Sequence, residues 1–194
     1  LKIGGTLEDV AAIEALDLSE HPELHHARNL WLFSFYFAGM RVSDVLRMKW
    51  TDFENKRLYY AMGKNNKGDS LKVPDKAQRI LEQYASQKDD TGLVFPELKG
   101  IDNLDDPFIV QRAIKIKLKP INENLAEVAK KAGITKKISM HISRHTFGNI
   151  SGDTIPIQML QKLYRHSTVT TTIGYQASFI NKSADDALDA VIGK

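Results

Sequence analysis

The sequence predicts a mainly α-helical fold with one small antiparallel β-sheet, an α+β arrangement. Three observations predict it. Apolar residues recur at helical spacing through most of the chain, and a middle segment switches to short strand-like runs around a turn-rich tip. Capping residues, prolines and glycines punctuate the helical runs. With 194 residues, 42% hydrophobic and 26% charged, the chain can fill one core, or one domain with a small appendage.

The elements follow in order. Thr6-Leu7-Glu8-Asp9 reads as a capping box that opens a helix running to Leu16. Pro22 starts a second helix rich in Leu30, Trp31, Phe33, Phe35, Tyr36 and Phe37, apolar nearly all round and so expected at the centre, with Gly39 as its stop. A short helix capped by Ser43 is expected to run through Val45, Leu46 and Met48 to Trp50. Arg57 to Met62 and Ser70 to Val73 then read as strands, with Gly63 to Asp69 as the tip of a β-hairpin. Helical patterns return at Asp75–Gln87 and at Phe108–Ala132, the second expected to break near Pro120. Thr154 and Pro156 open a helix to Leu163, and Ser183 to Ile192 forms a last short amphipathic helix closed by Gly193.

Composition narrows the chemistry. There is no cysteine, so neither a disulfide nor a thiolate metal site can contribute, which suits a reducing cytoplasm. The longest apolar run, Leu30 to Met40, is too short to span a bilayer. A net charge of +3 permits an anionic partner such as nucleic acid without demanding one.

The stretch "MHISRHTF", Met140 to Phe147, places His141, Arg144 and His145 on one helical face. Three readings compete. In the plainest one the histidines are structural, capping or lining a helix and bonding to backbone carbonyls. In the second, their i, i+4 spacing holds zinc; yet Ile142 stands where a metalloprotease carries its glutamate, and Arg144 adds a fixed positive charge. In the third, Arg144 is an oxyanion clamp, because its planar fork of donors matches phosphate and stays charged at any working pH.

A phosphate site needs further cations and a nucleophile, and the chain offers them. Arg41 lies in "AGMRVSD" at a turn between helices, with Asp44 three residues on to orient it; a surface Arg–Asp pair is the plainer alternative. Lys64 and Lys67 lie on the hairpin tip, where solvated lysines are ordinary. In "LYRHSTVTTTIGY", His166 precedes Tyr175 by nine residues, across a threonine run that forms helix poorly.

In this order the motifs resemble the catalytic domain of the tyrosine recombinases, the phage-integrase family. "AGMRVSD" is similar to that family's "TGxRxxE" turn, and "GKNNKGDSLKVP" to its hairpin lysine before a "VP" pair. "HISRH" matches its "HxxRH" box and "LYRHSTVTTTIGY" its "LGHxxxxTTxxY" segment. Asp44 stands where glutamate is common, and Arg165 replaces the usual glycine before His166.

The resemblance implies a fold, a mechanism and partners. Residues 1–177 are expected to form the catalytic domain and residues 178–194 a tail that packs on a neighbouring protomer or in cis, through Leu188, Val191 and Ile192. An N-terminal core-binding domain is expected to be absent from this chain. The resemblance makes Tyr175 the nucleophile on a scissile DNA phosphate, and Arg41, Arg144 and His166 the phosphate donors; an adduct that survived loss of the Tyr175 hydroxyl would move the nucleophile to another residue, such as Tyr164. It makes His141 the base, Lys64 the general acid with Lys67 as its rival, and His145 a support for the clamp. No metal or other cofactor is implied, because side chains supply the charge. Double-stranded DNA carrying a recombination site is the implied partner, bound by a homo-tetramer in the bacterial cytoplasm, with no membrane involved. Two other activities share much of the pattern: relaxation of DNA by a type IB topoisomerase, and DNA binding without catalysis.

Overall fold

The computed structural model describes residues 3–59, 70–152, 154–164 and 189–192. Helix α1 spans Leu7–Ala15 and opens on the expected capping box: Asp9 N–H donates to Thr6 Oγ1 at 3.2 Å while Thr6 N–H donates to Asp9 Oδ2 at 2.9 Å. Its last turn holds no basic residue of its own. Buried Arg28 from the next helix serves instead, donating to the carbonyls of Ile13 and Leu16 where α1 ends.

Helix α2, Pro22–Tyr36, is the central element, packed against the helices that follow it in sequence. Residues Leu30 to Ser34 are all buried, which is why the segment is apolar round its circumference. Phe33 anchors an aromatic cluster, its ring 5.1 Å from Phe95 and 4.9 Å from Phe37 between centroids. The chain leaves α2 through Ala38 and Gly39, both left-handed at φ 60° and 72°.

Helix α3 is Val42–Leu46, shorter than expected and started by Arg41 rather than Ser43. Arg41 O accepts from the N–H groups of Asp44 and Val45, so the first turn closes one step earlier than a serine cap would set it. The helix also stops short of Trp50. Val94 N–H donates to Met48 O and Trp50 N–H to Gly92 O, an extended pairing that helical backbone cannot make. Trp50–Asp52 is a single 3₁₀ turn.

Three short strands form one antiparallel sheet in the order β1 (Phe53–Glu54), β2 (Arg57–Leu58), β3 (Leu71–Lys72). The pairing of Arg57 with Lys72 and Leu58 with Leu71 fits the expected hairpin, whose tip lies outside the described residues. Strand β1 was not expected. It joins β2 through Asn55 and Lys56, at φ 51° and 58°, the two left-handed residues of a tight hairpin turn.

Helix α4 is Asp75–Tyr84, extended by a 3₁₀ turn to Gln87. Helix α5, Pro107–Lys131, does not break at Pro120. Pro120 is exposed, as is Ile116 at the carbonyl four residues back that loses its partner, so water can satisfy that oxygen. Helix α6 is Met140–Ser151 and helix α7 is Ile157–Tyr164, and residues 189–192 are helical. Among the described residues, no helix is long and apolar enough to cross a membrane.

Candidate active site

Helix α6 is held from three sides before it presents any chemistry. Its N-cap residue, Ser139, makes no side-chain capping bond; Asn122 of α5 supplies it, accepting from Met140 N–H at 3.0 Å. Trp31 Nε1 of α2 donates to Ser139 O at 3.0 Å. Behind the helix, Gly5 N–H donates to Thr146 Oγ1 at 2.9 Å and Asn149 Nδ2 to Ile3 O at 2.7 Å.

The turn that carries Arg41 is brought against this helix by two contacts. Gly39 lies so close that a Cβ there would sit 2.5 Å from Arg144 Cα. Ser34, buried in the last turn of α2, has its Oγ 2.6 Å from Met40 O and 2.6 Å from Ser143 Oγ of α6. Ser143 Oγ is in turn 2.8 Å from Met140 O. A hydroxyl pair thus joins the two segments that carry the arginines.

Arg144 is 5% exposed. Its Nη1 donates to Gly39 O at 2.9 Å, Nη2 donates to Tyr164 O, and the guanidinium lies 4.0 Å over the Tyr164 ring. Arg41 is exposed at the start of α3. Both arginines and His141 line one cavity of about 460 Å³, bounded by the Gly39–Ser43 turn, by Leu118 and Asn122 of α5, and by α6. Such a space suits one phosphodiester: wide enough for two non-bridging oxygens, with fixed cations on two walls.

The two histidines meet edge to face, ring centroids 4.9 Å apart. Burial holds the His141 imidazole below its usual value, and the charges of Arg144 and Arg41 add to this. His145 is lowered as well, by burial first and then by His141 and Arg144. Both rings are therefore biased toward the neutral form at neutral pH, and neutral His141 keeps a lone pair that can take a proton.

The structure thus brings together Arg41, His141, Arg144 and, one turn behind, His145. Asp44 is half-buried and donates its backbone N–H to Arg41 O at 3.0 Å, but the described contacts include no ion pair between their side chains. Lys64, Lys67, His166 and Tyr175 lie outside the described residues. Tyr164 is 1% exposed and donates its hydroxyl to Arg144 O, so it is not presented to the cavity as a nucleophile. Sequence reasoning missed Ser34, Asn122 and Ser143 as supports of the site. A serine inside an apolar helix such as α2 was the one available signal.

A model of the phage integrase family matches residues 10–182. Tyrosine recombinase XerC of Myxococcus xanthus is 26% identical over 142 residues, which is 72% of this chain and 46% of that protein. A tyrosine recombinase of Thermosipho africanus is 27% identical over 159 residues, 80% of this chain and 50% of that one. The chain spans about half the length of these curated relatives. Among solved structures, the fold is similar to XerA recombinase at a TM-score of 0.64 and 20% identity, covering 99% of this chain and 65% of that one. It is similar also to XerH site-specific recombinase bound to palindromic difH in a post-cleavage complex, at a TM-score of 0.64 and 18% identity, covering 97% and 53%.

Proposed function

This chain belongs to the phage integrase family, and from that premise we propose that it is the catalytic part of a site-specific DNA recombinase. The observation that carries the reading is the convergence of Arg41, His141 and Arg144 on one cavity, from segments whose contact residues Gly39 and Arg144 are 105 positions apart.

The chemistry follows from those side chains. Tyr175 Oη attacks the scissile phosphorus and the P–O5′ bond breaks, leaving a 3′-phosphotyrosyl link and a 5′-hydroxyl. Neutral His141 takes the tyrosine proton, and Lys64 gives one to the departing oxygen. Tyrosine, with an ordinary pKa near ~10, needs such a base. Arg41 and Arg144, with His166, oppose the charge that grows on the non-bridging oxygens. The phosphotyrosine keeps the bond energy, so a 5′-hydroxyl of another strand can reverse the step without ATP. Phosphate contacts position the duplex; sequence preference comes from base-edge contacts. The partner is double-stranded DNA with a recombination site, bound by a tetramer of the complete protein in the cytoplasm. Residues 178–194 form its tail and pack on a neighbouring protomer; Val191 and Ile192, 86% and 75% exposed, support that reading.

A nicked duplex that loses a short fragment on cleavage tests the proposal, because religation then fails and the adduct accumulates. The wild-type chain should run as a protein–DNA adduct on a denaturing gel with chelator present. Tyr175→Phe should still bind DNA and form none. An adduct that survives in Tyr175→Phe, or that needs a divalent metal, refutes the assignment.

A further inference from the structure

Tyr164 closes α7 and is among the largest fully buried side chains. It touches Arg144 in three separate ways. Its ring lies under the guanidinium, with the central carbon 4.0 Å from the ring centroid. Its backbone carbonyl accepts from Nη2, and its hydroxyl donates to the backbone carbonyl of Arg144 itself. Gly39 O takes Nη1 at 2.9 Å from the other side. The guanidinium is thereby held by two carbonyls on different elements and by an aromatic ring 4.0 Å from its central carbon.

Arginine has many rotamers to lose on being fixed, and a guanidinium over an aromatic ring is held by the ring quadrupole as well as by dispersion. The motif quoted above has leucine two places before its histidine, and this chain has Tyr164 there. Leucine offers neither a π face nor a hydroxyl donor. We propose that Tyr164 is the positioning residue for Arg144, fixing the fork toward the phosphate cavity. The hydroxyl bond does a distinct part of this. It ties the end of α7 to the backbone of α6 beneath the arginine, so the ring cannot slide off the guanidinium. Sequence adds a further link, since His166 follows two residues after Tyr164. The anchor that orients one phosphate donor thus also begins the segment that bears the next.

The proposal rests on the recombinase reading, and its test separates the two. Two variants divide the contacts: Tyr164→Phe keeps the ring and loses the hydroxyl, and Tyr164→Leu loses both. Adduct formation on the nicked duplex should slow by roughly 10²-fold in Tyr164→Leu, the effect of about 1 Å of misplacement, and by much less in Tyr164→Phe. Duplex affinity should change little in either. A duplex with methyl in place of one non-bridging oxygen at the scissile phosphate carries less charge for Arg144 to oppose. On that substrate the Tyr164→Leu defect should shrink, whereas a general loss of packing would slow both substrates alike. Nitrogen NMR of the arginine side chains gives a readout free of catalysis: rotation about the Arg144 Nε–Cζ bond should be slow in wild type and fast in Tyr164→Leu. Equal adduct rates in wild type and Tyr164→Leu, or a guanidinium still locked in that variant, overturn the proposal. A wild-type chain with no adduct at all refutes the recombinase reading instead, and the NMR comparison then decides the positioning role by itself.

Discussion

Replacing Gly39 by alanine isolates the contact that sets the distance between the two arginines. The residue sits at φ +72°, and an added Cβ would lie 2.5 Å from Arg144 Cα and 3.0 Å from Arg144 Cβ. Carbon atoms prefer about 3.5–4.0 Å, so α6 must retreat by about 1 Å. Left-handed backbone costs an alanine about 1–2 kcal/mol, and overpacking against a helix backbone adds about 1–3 kcal/mol. Gly133 supplies the control, because it has the same φ of +72° with nothing within 4 Å of its added Cβ. Gly133→Ala should therefore lose only the backbone part. Urea titration of both variants gives the difference, expected at about 1–3 kcal/mol, and adduct formation should fall by about 10²-fold in Gly39→Ala alone. Equal stability losses in the two variants would refute the reasoning, as would a folded Gly39→Ala with full adduct yield.

The hairpin and the histidines give two more expectations. Lys64→Ala should slow cleavage by about 10²–10⁴-fold, and a substrate with sulfur in place of the bridging 5′-oxygen should restore it, since sulfur leaves without a proton. Rescue of Lys67→Ala in place of Lys64→Ala would move the general acid. Folded His141 and His145 hold their protons less tightly than the unfolded chain does, so the unfolded state binds more protons below the usual imidazole value. Stability should be complete above about pH 6.5 and fall as acid is added, and a double His→Gln variant should flatten that slope in thermal scans from pH 7 to pH 5. An unchanged slope would show that other groups carry it.

Residue types and local punctuation made much of this molecule legible. The capping box of α1, Pro22 before α2, and the apolar circumference of α2 each act within a few residues of chain, so their meaning survives without tertiary knowledge. Strand β1 did not. It is two residues long, and its turn uses Asn55-Lys56 in place of the glycine that usually announces such a hairpin. Pro120 misled because the sequence does not say which carbonyls face water. The site divides in the same way. Arg41, His141 and Arg144, which the structure places on one cavity, could be proposed as site residues from motif order, but Gly39 read only as a helix stop. Its approach to Arg144 and the meeting of Ser34 with Ser143 join residues more than a hundred positions apart.

The buried serine pair has a polarity that follows from counting protons. Three oxygen–oxygen contacts link Met40 O, Ser34 Oγ, Ser143 Oγ and Met140 O, yet two hydroxyls own only two hydrogens. Met140 O opens α6 and is served by the helix's own N–H four residues on. Met40 O is buried and, among the described residues, receives no other donor, so the Ser34 hydrogen belongs to it. Ser143 must then turn its hydrogen to Ser34. The relay runs one way, from α6 through a single oxygen atom to the turn beneath Arg41, and that atom is where the two halves of the proposed phosphate clamp are indexed to each other.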